Sequence, residues 1–134
     1  MGGVVRRRRR RRRRGRGRGR AVTVPSPRRG DVWLAQLDKV RPALVLTRDP
    51  MGRLLTAVVV APVTSTVRGL STEVQVGPED GVRRPSVVNL DNVQLVARSR
   101  LVRRVGRART PTMEAVCEAL SIAVSCDGVG PTPR

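Results

Sequence analysis

Two groups of side chains in the sequence are suited to binding a phosphate. Arg41 stands before Pro42 at the start of an apolar run, and a guanidinium held beside a rigid residue can grip a phosphate with two hydrogen bonds. Thr64, Ser65 and Thr66 follow a second apolar run, where their hydroxyls can donate to phosphate oxygens. Both groups also have a structural explanation, because an arginine can balance a nearby aspartate and hydroxyls often bond the backbone of a turn.

A third group, Asn89-Leu90-Asp91-Asn92, interrupts an otherwise apolar stretch. If this stretch is a strand, Asn89 and Asp91 lie on one face, because side chains alternate along a strand. A carboxylate in that position costs free energy unless it is paired or used in binding. The alternative is a hairpin turn with Asp91 and Asn92 at its tip, and the local sequence supports both structures equally.

The composition excludes several kinds of catalytic site. The 134 residues include no histidine, which rules out an imidazole acid/base pair and a histidine metal site. Cys117 and Cys126 are too few for a zinc site or a disulfide framework, so a reducing, cytoplasmic setting is expected. Trp33, the one aromatic residue, cannot supply the stacking platforms of common RNA-binding modules. We expect no metal and no cofactor, and no membrane partner, because no apolar run is long enough to cross a bilayer.

The charge is concentrated at the N-terminus. The chain has 28 basic and 10 acidic residues, a net charge of +18, and 12 of the arginines lie within residues 1–20. Repulsion between them predicts that residues 1–27, an Arg/Gly-rich extension with a Pro-containing linker, are disordered. A polyanion, above all a nucleic acid, is the expected partner. The extension is either a binding arm for RNA or DNA, or a tail without specific function, which includes an upstream extension of the gene model.

The elements that must position the polar groups are short strands. Runs rich in β-forming residues, separated by turn signals, predict strands at 31–37, 42–47, within 54–63, at 72–76, over 86–96 and at 101–105. Residues 57–61 form a continuous apolar run, typical of a strand buried on both faces. The sequence therefore predicts a mainly β fold, a small barrel of five to seven strands.

One helix is predicted after the last strand. Thr110 can cap a helix that has Pro111 at its first position. The apolar stripe of this helix is Met113, Val116, Cys117, Leu120 and Val124, and it predicts that Cys117 is a buried core thiol. The C-terminal helix would act as a lid on the barrel, and residues 127–134 are predicted to form a flexible tail.

Six segments occur in the order found in one known family. They are 29–34 (RGDVWL), 40–46 (VRPALVL), 60–66 (VAPVTST), 68–74 (RGLSTEV), 85–92 (PSVVNLDN) and 99–101 (SRL). Over about residues 28–126 the chain resembles the MazF/PemK family of toxin endoribonucleases. The resemblance implies an SH3-like barrel of the CcdB/PemK type, usually a homodimer. It also implies a cognate antitoxin protein with an acidic segment.

The resemblance also implies a reaction and roles for the polar groups. The family cleaves single-stranded RNA without a metal, using the 2′-OH of the substrate, and leaves a 2′,3′-cyclic phosphate and a 5′-OH. The family's arginine corresponds to Arg41, which would stabilise the pentavalent phosphorane and protonate the leaving oxygen. The family's hydroxyl residue corresponds to Thr64, which would hold a phosphate oxygen, with Ser65 and Thr66 in lesser roles beside it.

The connection before Arg41 departs from the family pattern. Many members have a longer connection in which a glutamate can serve as the base, whereas here only Asp38-Lys39-Val40 precede the arginine. The candidates for the general base are Asp38 and Asp91, and Asn89 is a further candidate for RNA binding. The alternative function is a non-catalytic nucleic-acid-binding module that depends on the basic arm. A protein-directed toxin similar to CcdB ranks last, because the C-terminal helix carries no tryptophan.

Overall fold

Residues 25–125 are the part of the chain that the computed structural model describes, and they form an antiparallel sheet with a helix at its C-terminal end. Of the predicted disordered segment 1–27, residues 1–24 lie outside the described residues, as do the predicted tail at 127–134 and Cys126. Pro27, at the end of that segment, is buried, so the prediction of disorder was wrong at this residue. The elements are β1 (Asp31–Gln36), β2 (Val40–Val45), α1 (Met51–Leu54), β3 (Ala57–Thr64), β4 (Glu73–Val76), β5 (Ser86–Asn89), β6 (Gln94–Ala97), β7 (Leu101–Arg107) and α2 (Thr110–Ala123). Turns of 3-10 helix occupy Pro78–Asp80, Leu90–Asn92 and Arg98–Arg100. The predicted mainly β fold with a C-terminal helix is confirmed.

The central strand β3 connects the two halves of the sheet. The strands run in the order β4-β5-β3-β2-β1-β7, and β6 also pairs with β3. One edge of β3 pairs with β2, while the other edge pairs first with β6 and then with β5. Because β3 has neighbours on both edges, its C-terminal end, which carries Thr64, lies among the ends of several strands.

The core lies on both faces of β3. Val58 and Val60 face one cluster of buried residues, and Ala61 and Val63 face the other. The alternation confirms the prediction that the apolar run at 57–61 is buried on both faces. Burial of each such valine contributes about 1.5–3 kcal/mol, so the strand that carries the polar residues at its end is firmly held.

Helix α2 packs on the core with a face that overlaps the predicted stripe: Val116 is buried, and Met113 and Leu120 are partly buried against the core. Its buried residues are Thr112, Val116 and Ala119, whereas Cys117 is exposed and its sulfur accepts a hydrogen bond from Arg29 Nη2 at 3.1 Å. The prediction of a buried Cys117 was wrong. The buried residues share Val116 with the predicted stripe and extend it to Thr112 and Ala119 on the side away from Cys117.

The N-terminus of α2 is capped by a residue from another part of the chain. Thr110 makes no capping hydrogen bond. Instead Asp80, only 1% exposed, accepts hydrogen bonds at Oδ1 from the Arg109 amide and the Thr112 hydroxyl, each at 2.9 Å. Its carboxylate also forms an ion pair with Arg109 Nε at 3.4 Å. A negative charge at a helix N-terminus stabilises the helix, so Asp80 fastens α2 to the end of β4.

This contact predicts a pH-dependent stability. Burial acts to raise the pKa of Asp80, but hydrogen bonds from Arg109 and Thr112 and the charge of Arg109 together lower the pKa below its usual range. A lowered pKa in the folded state stabilises the protein above the unfolded value of about 3.9, and this stabilisation is lost as pH falls through the folded value. We expect Asp80→Asn to lower the Tm at neutral pH and to reduce the fall in Tm below about pH 4. Thermal melts between pH 7 and pH 2.5 measure both effects, and an equal acid response in the two proteins contradicts this role.

Candidate active site

A polar cleft of about 320 Å³ lies at the ends of β2, β3 and β5. Clefts of equal or larger volume exist in the described part of the chain, but this one gathers most of the polar groups singled out from the sequence. The residues that line it are Lys39, Arg41, Pro62, Thr64, Ser65, Thr66, Arg68, Glu73, Asn89 and Asn92. Five of the seven predicted site residues therefore lie together: Arg41, Thr64, Ser65, Thr66 and Asn89.

Strand register explains why residues far apart in sequence meet here. Strands β2 and β3 are antiparallel, and Ala43 is aligned with Pro62. Continued by two residues, that register brings Arg41 alongside Thr64. The ladder between β3 and β5 then aligns Thr64 with Val87, which brings the end of β5 to the same cleft.

In the Arg41 guanidinium, Nη2 is engaged in an ion pair and Nε has no hydrogen-bond acceptor among the described residues. Its Nη2 donates to Asp38 Oδ2 at 3.0 Å, and 21% of its side chain is exposed. Its Nε–H is buried and finds no hydrogen-bond acceptor among residues 25–125. An unsatisfied buried donor costs about 1–3 kcal/mol, and an oxygen ligand would regain that free energy only after a shift of the Arg41 side chain that exposes Nε.

The loop between β3 and β4 forms one wall of the cleft and is organised by Glu73. The Glu73 carboxylate accepts hydrogen bonds from the backbone amides of Arg68 at 3.0 Å, Gly69 at 2.9 Å and Leu70 at 3.3 Å. At the start of the loop, the Thr64 hydroxyl oxygen accepts from the Thr66 amide at 3.1 Å. The hydroxyl hydrogen of Thr64 is not used in that contact, so it can donate to a ligand.

Sequence reasoning missed Glu73, Lys39 and Arg68 as cleft residues, and it included Asn92 in the third polar group without giving it a role. All four lie within or directly beside the segments that carry the family resemblance, which is the signal that was available. The organising role of Glu73 was not visible in the sequence, because it depends on the path of the loop. The three basic side chains of Lys39, Arg41 and Arg68 make the cleft attractive to an anion.

The two candidate bases lie outside the cleft lining. Asp38 is exposed on the β1–β2 connection and meets the cleft only through Arg41. Asp91 lies in the 3-10 turn Leu90–Asn92, where its Oδ2 accepts from the Thr72 hydroxyl at 2.6 Å. Asn89 accepts from the Asp91 amide at 3.0 Å. The segment is therefore a turn, and Asn89 and Asp91 do not alternate along one strand. The predicted hairpin was wrong, because β5 pairs with β3 and β4 and β6 pairs with β3, so the turn connects two strands that are not paired with each other.

Replacing Glu73 by alanine is expected to release the loop. Hydrogen bonds to a charged group contribute about 1.5–3 kcal/mol, so the amides of residues 68–70 should exchange their hydrogens at least about tenfold faster. Hydrogen exchange followed by mass spectrometry measures this effect. Glu79→Ala, at an exposed acid outside the cleft, is the matched control. Equal exchange in both variants contradicts the role of Glu73.

Within 25–125, no three side chains of histidine, cysteine, aspartate or glutamate lie together as a set of metal ligands. No helix in this part of the chain has the length and apolar character needed to cross a membrane.

Comparison with known proteins gives consistent matches. Residues 28–124 match the family model described as PemK-like, MazF-like toxin of type II toxin–antitoxin system. A relative from Mycobacterium tuberculosis, probable endoribonuclease MazF5, is 44% identical over 103 residues, which cover 75% of this chain and 94% of the relative. The solved structure of Mycobacterium tuberculosis toxin MazF-mt6 has a TM-score of 0.69 and 44% identity, with 71% of this chain and 96% of that chain covered. A mycobacterial endoribonuclease in complex with its cognate antitoxin has a TM-score of 0.69 and 29% identity, with 80% and 99% covered.

Proposed function

Because the chain belongs to the PemK-like, MazF-like family of endoribonuclease toxins, we propose that it cleaves single-stranded RNA at the polar cleft around Arg41 and Thr64. The observation that carries the proposal is that Arg41, whose Nε–H has no acceptor among residues 25–125, and Thr64 line one cleft that has three basic side chains. A phosphodiester supplies the anionic oxygens that these donors lack. Cleavage at particular RNA sequences is part of the proposal.

The chemistry fits a reaction in which the substrate provides its own nucleophile. The ribose 2′-OH gives its proton to a base while its oxygen attacks the neighbouring phosphorus. A P–O2′ bond forms, and the P–O5′ bond breaks as the 5′-oxygen takes up a proton. The products are a 2′,3′-cyclic phosphate and a 5′-OH end, and no metal takes part. The attack is intramolecular, so the protein needs only to orient the phosphate and to stabilise developing charge.

Arg41 and Thr64 have different roles at the phosphate. The guanidinium stabilises the additional negative charge of the pentavalent phosphorane and gives a proton to the leaving 5′-oxygen. The Thr64 hydroxyl donates to a non-bridging oxygen and fixes its position. Ser65, Thr66 and Asn89 lie close enough in the same cleft to contact the neighbouring nucleotides.

Asp38 is the better supported of the two candidate bases. Its carboxylate lies 3.0 Å from Arg41 Nη2, so it is adjacent to the group that binds the phosphate. The Asp91 carboxylate is already bound to the Thr72 hydroxyl, a contact that supports a structural role for the 3-10 turn.

The proposed partners follow from the family and from the charge of the cleft. The mycobacterial relative has a structure in complex with its antitoxin, and we expect this chain to bind a cognate antitoxin. An acidic antitoxin segment suits Lys39, Arg41 and Arg68, because it would compete with RNA for the same basic side chains. We also expect a homodimer that acts in the cytoplasm, where its RNA substrate is found.

Mapping of cleaved RNA ends tests the proposal directly. The full-length protein is incubated with a long single-stranded RNA in the presence of EDTA, and the new ends are sequenced by a method selective for 5′-OH. The expected result is a set of 5′-OH ends at recurring sequences. Intact RNA, or ends that carry a 5′-phosphate, contradicts the proposed reaction.

The net charge of +18 supports one other function, a nucleic-acid-binding module without catalytic activity. It predicts salt-sensitive binding to any polyanion, which disappears when residues 1–20 are deleted. Under the proposed function the same deletion leaves the cleavage sites unchanged, so one truncation separates the two alternatives.

A further inference from the structure

A second cleft, of about 550 Å³, opens beside the polar cleft. Its walls come from β1, β2, β7 and the segment that follows β4. Ser65 lines both clefts. Pro42 lines the second cleft, and Arg41, its chain neighbour, lines the first. Arg41 and Pro42 point to opposite faces of β2, so the two clefts adjoin at Ser65, and an RNA strand with its phosphate at Arg41 would reach the second cleft past Ser65.

Part of the lining of the second cleft is apolar, and we call this part the floor. The volume of the cleft is sufficient for one nucleotide. Leu34, Pro42, Val82 and Val105 contribute to the floor. Leu34 is aligned with Pro42 on one side and with Arg103 on the other, so the floor is a continuous piece of sheet. Binding sites for small ligands commonly enclose about 300–1,000 Å³, and a nucleobase needs an apolar surface against which one of its faces can lie.

Three arginines, Arg83, Arg84 and Arg103, surround this floor. None of the three has a carboxylate within ion-pair distance among residues 25–125. The next residue on β7, Arg104, points to the opposite face of the strand and pairs with Asp31 at 3.1 Å. The unpaired positive charge is therefore concentrated on the cleft side, next to the apolar floor.

We propose that the second cleft binds a nucleotide of single-stranded RNA that flanks the cleaved phosphate. The base lies on the apolar floor, and its phosphate accepts hydrogen bonds from Arg83, Arg84 and Arg103. Guanidinium planes can also stack on an unpaired base, in a chain whose described part has only one aromatic side chain. The inference rests on the proposed function, because the ligand is the same RNA strand. It adds the surface that selects the sequence around the cleaved bond.

The test uses the double variant Arg83→Ala/Arg84→Ala in the full-length chain. Both side chains are exposed, so we expect an unchanged Tm. With an oligonucleotide that contains a mapped cleavage site, kcat/KM should fall about 10- to 100-fold. The matched control is Arg48→Ala/Arg53→Ala, which removes the same charge from exposed positions outside both clefts and should change kcat/KM by less than about twofold.

Varying the length of the RNA substrate shows whether Arg83 and Arg84 bind one particular nucleotide or contribute only positive charge. Oligonucleotides are shortened one nucleotide at a time on each side of the cleaved bond. For the unchanged protein, loss of one particular flanking nucleotide should lower kcat/KM by about the same factor as the double variant does. For the double variant, removal of that nucleotide should have no further effect. Additive losses, or a double variant that behaves like the control, overturn the proposal.

A photocrosslink keeps this test independent of catalysis. RNA with 4-thiouridine at each position in turn is irradiated with the full-length protein, and the crosslinked peptides are identified by mass spectrometry. Crosslinks to residues 82–86 or 103–105 support the second cleft even if no RNA is cleaved, in which case only the proposed function fails. Cleavage accompanied by crosslinks solely to other segments overturns the second cleft and leaves the proposed function standing.

Discussion

Arg41→Ala is expected to lower RNA cleavage by about 10³-fold, in line with the loss of one group that stabilises transition-state charge. The loss falls mainly on kcat, because the additional charge on the phosphorane exists only in the transition state. Single-turnover cleavage of a mapped oligonucleotide measures it. The side chain contributes an exposed ion pair and a buried donor without an acceptor among the described residues, so the Tm should change by only a few degrees.

Two further variants show whether the charge of Arg41 or its hydrogen-bond geometry is needed, and whether the Thr64 hydroxyl is needed. Arg41→Lys keeps the charge but removes Nε–H and the planar pair of donors. We expect this variant to cleave RNA about 10²-fold more slowly than the unchanged protein. Thr64→Val keeps the shape of the side chain and removes the hydroxyl that is proposed to hold the phosphate. Full activity in Arg41→Ala contradicts the assignment of the site. Equal activity of the lysine variant and the original protein shows instead that only charge is needed.

The second large effect is expected on folding, from Gly81→Ala. Gly81 has φ +85°, and a Cβ at this position would lie 2.4 Å from the Cα of Gly106 in β7. The close backbone approach connects the turn after β4 to β7, and these strands are the two ends of the sheet. A methyl group there must separate them while also straining the backbone, at a total cost of about 3–5 kcal/mol. Urea denaturation measures the loss.

Gly69→Ala supplies the matched control for this prediction. Gly69 also has a positive φ, of +76°, but nothing lies within 4 Å of the position that its Cβ would take. It should show only the cost of the left-handed backbone, about 1–2 kcal/mol. The difference between the two variants therefore measures the contact between the sheet ends. If both lose the same stability, the ends of the sheet are not held together at Gly81 and Gly106.

The same contact connects folding to the second cleft. Gly81 lines that cleft, together with Val82 and Val105. A milder change that separates the two ends should widen the cleft before the protein unfolds. One change at Gly81 would then alter both the free energy of unfolding and the RNA selection proposed for the second cleft.

Much of the fold could be predicted from local sequence. The apolar run at 57–61 identifies a strand buried on both faces, because such a run has no polar side to present to water. Turn residues mark the ends of the other strands, and six ordered segments identify the family. The assignment of Arg41 and Thr64 as catalytic residues stays a prediction, supported by their presence in one cleft and open to the mutations described above.

Local sequence could not decide features that depend on contacts between distant elements. The spacing in α2 identifies Val116 as a core residue but does not decide which side of the apolar stripe is buried. Packing against the sheet places Thr112 and Ala119 in the core and leaves Cys117 exposed. Asp80 caps a helix that begins 30 positions later, and no local pattern carries that information.

The sequence by itself determined which polar side chains are available for chemistry, the order of the strands along the chain and the family. The tertiary structure alone decided which of these side chains meet. The β2–β3 register brings Arg41 to Thr64, while Asp38 and Asp91 remain outside the cleft lining. The physical reason is that periodicity assigns a residue to a face of its own element. Strand pairing and the close approach of Gly81 to Gly106 determine what that face contacts.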